Sequence, residues 1–198
     1  LKDMGFVGLK PYKPELPFNS ECYYPFYRRA QELSMPILFH TGLVAKGLPW
    51  NGVKSGHSFG PDNMRPGHLA GIAEAFPELV IMGGHVGYPY LEETAQNLYY
   101  YKNIYHDVSG YARSIDVLPN MLDRRCNDGT NRYFNDKILF ATDSFYGREH
   151  DNARAIRLCE FWQRYFEFIG GIYYRWGLPE EQEKFFYGNA AALKRRWK

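Results

Sequence analysis

The sequence is short of cysteine, of long apolar runs and of net charge. Its three cysteines (Cys22, Cys126, Cys159) are odd in number and scattered over 198 residues. They frame no disulfide scaffold, so a reducing, cytoplasmic compartment is expected. No apolar stretch approaches the ~20 residues of a membrane-spanning helix, so no membrane partner is expected. A net charge of +2, with both signs interspersed, lacks the basic footprint of a nucleic-acid binder. The six histidines follow neither zinc-finger nor metalloprotease spacing. No glycine-rich phosphate loop occurs either, Gly83-Gly84 and Gly170-Gly171 being too sparse. What remains is an ordinary globular balance of 45% apolar and 23% charged residues. A chain this long hides roughly 70% of its unfolded surface, enough for a real core. With no linker or repeat, residues 1–198 read as one domain.

A rhythm runs through the chain. Short apolar runs end abruptly in a polar residue, and an amphipathic stretch follows. The runs are Gly5–Lys10, Met35–His40, Leu79–His85, Ile104–Ser109 and Lys137–Asp143. Runs of about six residues rich in Ile, Leu, Val and Phe read as strands buried on both faces of a parallel sheet. Helical spacing follows in Glu21–Ser34 (Tyr23, Phe26, Tyr27, Ala30, Leu33), Pro66–Phe76 (Leu69, Ile72, Ala73, Phe76), Tyr90–Tyr101 and Ile115–Arg124. Asp151–Phe168, Pro179–Tyr187 and Asn189–Trp197 complete the pattern, Asn189 as an N-cap. Tyr99, Tyr100 and Tyr101 are expected on the buried side of their helix. Strand alternating with helix predicts an α/β fold with a parallel sheet. Thr41–Arg65, rich in Gly and Pro, is a long loop of a kind that is either functional or disordered.

In a parallel sheet the strand ends share one edge. Lys10, His40, His85, Asp107 with Ser109, and Asp143 therefore gather at the carboxyl edge, where α/β folds place their sites. Two imidazoles and a carboxylate there suit a divalent metal or acid–base work. Taken singly, each has a plainer reading: a hydrogen-bonded packing histidine, a helix-capping aspartate, a solvated lysine. Three metal-competent residues on three strand ends argue for the site. His106 alternates with Asp107, so it faces the helical layer while Asp107 and Ser109 share the other face. His57, His68 and His150 read as exposed polar residues. Arg65, Arg113 and Arg148 each follow a strand at the same edge, and any of them can hold a substrate carboxylate as a bidentate pair.

Several segments resemble the amidohydrolase-related metal-dependent hydrolases, in the branch that includes aminocarboxymuconate-semialdehyde and resorcylate decarboxylases. They are HTG at His40–Gly42, GGHVGYPYLEE at Gly83–Glu93, NIYHDVSGY at Asn103–Tyr111, FATDSFYG at Phe140–Gly147 and YGNAAALKR at Tyr187–Arg195. The resemblance implies a TIM-like (β/α)8 barrel in which these five strands are the fourth to the eighth. It implies that His40 and Asp143 ligate a divalent metal, zinc above all or manganese, and that His85 and Asp143 are catalytic. Lys10 stays outside the ligand set. The family's His-x-His pair, expected on the first strand, has no counterpart in these residues. Because such barrels usually take ~250 residues or more, the chain is expected to be the carboxyl-terminal part of one. The expected activity is hydrolysis or non-oxidative decarboxylation of a small, carboxylate-bearing molecule. A homo-oligomer is compatible with this. Two other readings stand beside it: a catalytically inactive relative serving binding or assembly, suggested by the missing ligand pair, and an aromatic-lined sugar-binding module, suggested by the 17 tyrosines.

Overall fold

The structure, a computed structural model, describes residues 1–43, 61–109, 136–143, 149–173 and 183–194. It divides into two compact units, one built on Leu1–His106 and the other on Asp107–Lys194.

The first unit is organised by three parallel strands, β1 (Ile37–His40), β2 (Ile81–Gly84) and β3 (Ile104–Asp107, whose last residue opens the second unit). Their register aligns Ile37, Ile81 and Ile104, and then Phe39, Gly83 and His106. Aligned residues of parallel strands share a face. This face is the buried one, for all three isoleucines and Phe39 are closed to solvent. The Phe39 ring lies edge-on to Phe18 (4.8 Å) and Tyr27 (5.6 Å). His106 therefore faces the helical layer, as the alternation predicts. Gly83 leaves room for it, since a Cβ at that position would collide with the His106 ring.

Two helices cover this face. In α1 (Tyr24–Glu32) Pro25 sits in the first turn, where its missing N–H costs nothing. In α2 (Gly67–Ala75) Leu69, Ile72 and Ala73 form the inward stripe at three- and four-residue spacing. That helix stops at Phe76, before Pro77, because a residue preceding proline is pushed out of the helical region. Burial lifts the Tyr27 hydroxyl above the usual tyrosine range, and the group donates to the Phe18 carbonyl at 2.8 Å.

Several expectations are corrected here. Gly5–Lys10 is not a full strand: it makes one parallel bridge, Leu9 to Ile37. Its Phe6 and Val7 are 50% and 66% exposed, so burial supports this run only near Leu9, which packs partly buried against the core. Phe26 of α1 is 66% exposed, and the inward positions are Tyr27 and Ala30. Tyr99 and Tyr100 are exposed as well, whereas α3 (Leu91–Tyr100) buries Thr94, Ala95, Asn97 and Leu98. Three consecutive residues sweep about 200° of a helix and cannot all face the core.

In the second unit the strand run of Lys137–Asp143 shortens to β4 (Ile138–Leu139). The Val108 N–H donates to Leu139 O at 3.1 Å. The unit also contains α4 (Glu149–Tyr173), a π-helical turn (Lys184–Gly188) and α5 (Asn189–Lys194). Asn189 does not cap: its backbone is already helical, and its buried amide donates to Ile138 O at 2.9 Å. The expected helix Ile115–Arg124 lies outside the described residues, as does most of the Thr41–Arg65 loop.

Candidate functional site

His40 is the last residue of β1, and His85 follows directly on the end of β2. Adjacent parallel strands bring these two ends together. His40 Nδ1 and His85 Nε2 face each other at 3.1 Å, and the rings meet edge-on with centroids 4.4 Å apart. The far nitrogen of His40, Nε2, lies 3.4 Å from the Leu43 carbonyl, which can only accept. A neutral His40 then carries its proton on Nε2. That leaves the Nδ1 lone pair to accept from the Nε2–H of His85. The Tyr12 ring packs edge-on to His40 at 4.9 Å.

The backbone under His85 is strained. His85 and Val86 both have positive φ, 65° and 44°. Such a conformation is an outlier for a β-branched residue, and each such residue costs on the order of 1–3 kcal/mol. It persists because its surroundings hold it. The Gly84 carbonyl, before the bend, accepts from Thr41 Oγ1 at 2.5 Å. The Val86 carbonyl, inside it, accepts from Thr94 Oγ1 at 2.7 Å. Both hydroxyls are fully buried. The loop after β1 then locks onto the loop after β2, with the Leu43 N–H donating to Tyr88 O at 2.8 Å. Gly42, at φ 80°, packs directly against the Gly87–Tyr88 backbone.

Beside this bend Arg65 is engaged by Glu93. Its Nε donates to Glu93 Oε1 at 2.8 Å and its Nη2 reaches the same oxygen, while the guanidinium lies 4.6 Å from the centre of the Tyr90 ring. The hydrogen bond to Glu93, then its charge, raise the Arg65 pKa further. Glu93 also accepts from the Gly67 N–H at the start of α2. Partial burial, with the bond to Asp62, raises the Tyr90 hydroxyl. A substrate carboxylate would therefore share Arg65 with Glu93. His68 bonds to the Asp62 carbonyl, and Lys10 is exposed.

Asp143 belongs to the second unit, where it is exposed and adopts a left-handed φ of 53°. Asp107 Oδ1 in that unit accepts from the Ser109 N–H at 2.9 Å and from its hydroxyl, so the two do share a face. Arg113, Arg148 and His57 lie outside the described residues, as does the side chain of His150.

Of the two histidines, His40 has the chemistry of a metal ligand: its Nδ1 keeps a lone pair while Nε2 faces the Leu43 carbonyl. A far ring nitrogen donating to a backbone carbonyl, as in His40, is the usual support of a metal-binding histidine. Among the described residues no group of three or more His, Cys, Asp or Glu is arranged to hold an ion. His40 supplies part of a ligand set.

Sequence reasoning missed Thr41, Thr94, Glu93 and Tyr12. Thr41 sits next to His40 and was open to suspicion on that ground. A buried threonine inside a helix, such as Thr94, carries no local signal.

The Amidohydrolase family profile matches residues 1–195. A search of curated proteins finds no match. Among solved structures, the chain is similar to an uncharacterized TIM-barrel protein from Bordetella bronchiseptica, at 18% identity and a TM-score of 0.66, over 99% of this chain and 59% of that one. It is similar to 2,6-dihydroxybenzoate decarboxylase from Rhizobium, at 20% identity and a TM-score of 0.57, over 98% and 64%. A probable 2-pyrone-4,6-dicarboxylic acid hydrolase from Acinetobacter baumannii follows at 16% and 0.55, over 97% and 65%. The chain thus spans about three-fifths of the length of these structures, and the likeness establishes the fold, a parallel α/β arrangement of TIM-barrel type. With strand-end histidines on adjacent parallel strands and a family match over nearly its whole length, the chain belongs to the amidohydrolase family.

Proposed function

We propose that the protein is a metal-dependent hydrolase or non-oxidative decarboxylase acting on a small, carboxylate-bearing organic molecule. The observation that carries this is the His40–His85 pair, with facing nitrogens 3.1 Å apart at the ends of adjacent strands. His40 would hold the ion through Nδ1, its ring oriented by the Leu43 carbonyl. Asp143 is the second ligand in this reading, and zinc or manganese suits the donor set. When bound, such an ion polarises a substrate oxygen and lowers the pKa of water towards ~7. His85 donates or accepts a proton at Nε2 and stabilises charge developing on the substrate. Asp143 exchanges a proton with water or substrate. Arg65, Arg113 and Arg148 are the candidates for the substrate carboxylate. The names of two similar structures, a decarboxylase and a probable hydrolase, support both reaction types and do not choose between them.

Metal analysis and turnover test this. One tightly held divalent ion per chain is expected, with turnover falling at least a hundredfold in His85→Asn and in Asp143→Asn. Full turnover in both variants, or no bound ion, refutes it. The partial ligand set among the described residues favours one second reading, a relative that binds without turnover. Metal binding with no activity on any aromatic or dicarboxylic acid would select it. No described helix is long and apolar enough to cross a membrane.

A further inference from the structure

The carbonyls on either side of the His85 peptide units are the two groups taken by buried threonines. Thr41 Oγ1 donates to Gly84 O at 2.5 Å, and Thr94 Oγ1 donates to Val86 O at 2.7 Å. Neither bond is local, for the donors come from the loop after β1 and from α3, 43 and 8 residues away in sequence. Between them the backbone turns left-handed at two successive non-glycine residues. An extended course through His85 would, by strand alternation, put its ring on the face of Ile81 and Gly83, opposite to that of His40. The turn is what points Nε2 at His40 Nδ1. Nothing within the two residues favours that turn, because Val86 is β-branched. The preference must come from outside, and the two hydroxyls stand where it would act. Each is closed to solvent, so a carbonyl left without its donor there would be costly.

We propose that Thr41 and Thr94 are positioning residues which clamp the strained His85–Val86 turn and so hold the His85 imidazole against His40. Neither touches the reacting atoms. Thr41 ties the turn to the His40 loop, and Thr94 ties it to α3. On α3 the neighbouring Glu93 and Asn97 also reach back, to Gly67 N and Pro66 O. The clamp rests on the reading of the histidine pair as the functional site.

The test compares Thr94→Val, nearly isosteric but without a donor, with Thr94→Ser, which keeps the hydroxyl. Thr41→Val is the second variant should Thr94→Val fold poorly. In the metal-free protein the Thr94→Val exchange of the Tyr88 and Leu43 amides should quicken tenfold or more, while the Ile81 amide, bonded to Asn103 O in the core, keeps its rate. The ring ¹⁵N shifts of His40 and His85 should lose the signature of their mutual hydrogen bond. Thr94→Ser should restore both. A uniform rise in exchange with unchanged ring shifts would mean a merely structural hydroxyl and overturns the proposal, as does failure of the serine variant to rescue. If His40→Asn binds zinc as tightly as the parent, the site reading fails. The exchange and ring-shift arms, read without metal, still decide the clamp.

Discussion

Replacing Gly42 by alanine isolates the contact between the two histidine-bearing loops. Gly42 has φ 80°, and a Cβ there would overlap the Tyr88 carbonyl oxygen and stand 2.6 Å from the Gly87 carbonyl carbon. Two costs combine. Placing a side chain in the left-handed region costs about 1–2 kcal/mol. Forcing a methyl group against backbone costs about 1–3 kcal/mol more, because backbone cannot swing aside like a side-chain tip. The sum, roughly 2–5 kcal/mol, is a large part of the ~5–15 kcal/mol that holds a domain together. Gly5 supplies the control. It has nearly the same φ, 86°, and a Cβ there would meet nothing within 4 Å. Gly5→Ala should therefore show the conformational cost alone, about 1–2 kcal/mol. The entropy that alanine removes from the unfolded chain is common to both variants and cancels in the difference. Urea denaturation followed by circular dichroism measures both. Gly42→Ala should have the lower midpoint by the steric component, and its ring ¹⁵N spectrum should show the histidine pair separated. Equal destabilisation in the two variants, or an undisturbed histidine pair in Gly42→Ala, would refute the claim that this loop contact sets the site.

Further predictions concern packing, charge and substrate binding. Phe39→Ala removes a fully buried ring that contacts Phe18 and Tyr27, and should cost about 3–5 kcal/mol in urea denaturation; a loss below about 1 kcal/mol would place the core elsewhere. Lys137 is buried, and desolvation lowers its pKa from 10.5 to about 8. The unfolded chain then binds more protons between these values, so stability should rise from about pH 8 to 10.5, by roughly 3 kcal/mol in all. Lys137→Met should remove that rise, as pH-dependent urea midpoints would show. The Arg65–Glu93 pair is partly open to solvent, with side chains 43% and 22% exposed, so Arg65→Met should cost less than about 1 kcal/mol of stability. If Arg65 holds the substrate carboxylate, the same change should raise KM about tenfold or more; an unchanged KM would assign that task to another residue.

The strands at 37–40, 81–84 and 104–107 were legible because all three are apolar runs closed off by a polar residue. Burial on the helical face demands that pattern whatever else the chain does. Helix α2 was legible for the same reason, since Leu69, Ile72 and Ala73 repeat at the helical period and all are buried. The misreadings share one cause as well. Phe6, Val7, Phe26, Tyr99 and Tyr100 are apolar or aromatic, yet exposed. Residue type states a preference for burial, and only the neighbouring elements decide which positions receive it. In α3 the covered stripe runs through Thr94, Ala95 and Leu98, and Tyr101 continues it, half-buried and bonded to Glu74. Tyr99 and Tyr100 lie a hundred and two hundred degrees of helix away from that line. Asn189 was misread for a related reason. Its side-chain amide answers the Ile138 carbonyl, 51 residues distant, in place of its own helix end.

For the site, the sequence by itself determined which residues end the strands and in what order. Parallel pairing needs only the alternation of apolar runs and helices, and it sends every strand end to one edge. His40 and His85 were candidates on that ground, before any distance was known. The tertiary structure decided the rest. It set the adjacency of β1 and β2, the 3.1 Å between Nδ1 and Nε2, the left-handed turn at His85 and Val86, and the two buried hydroxyls that hold it. It also committed Arg65 to Glu93, where the sequence offered a free cation. The physical reason is range. Propensity and periodicity act over a few residues, whereas these bonds join groups 8, 28, 43 and 45 residues apart, and their geometry exists only once the sheet has assembled.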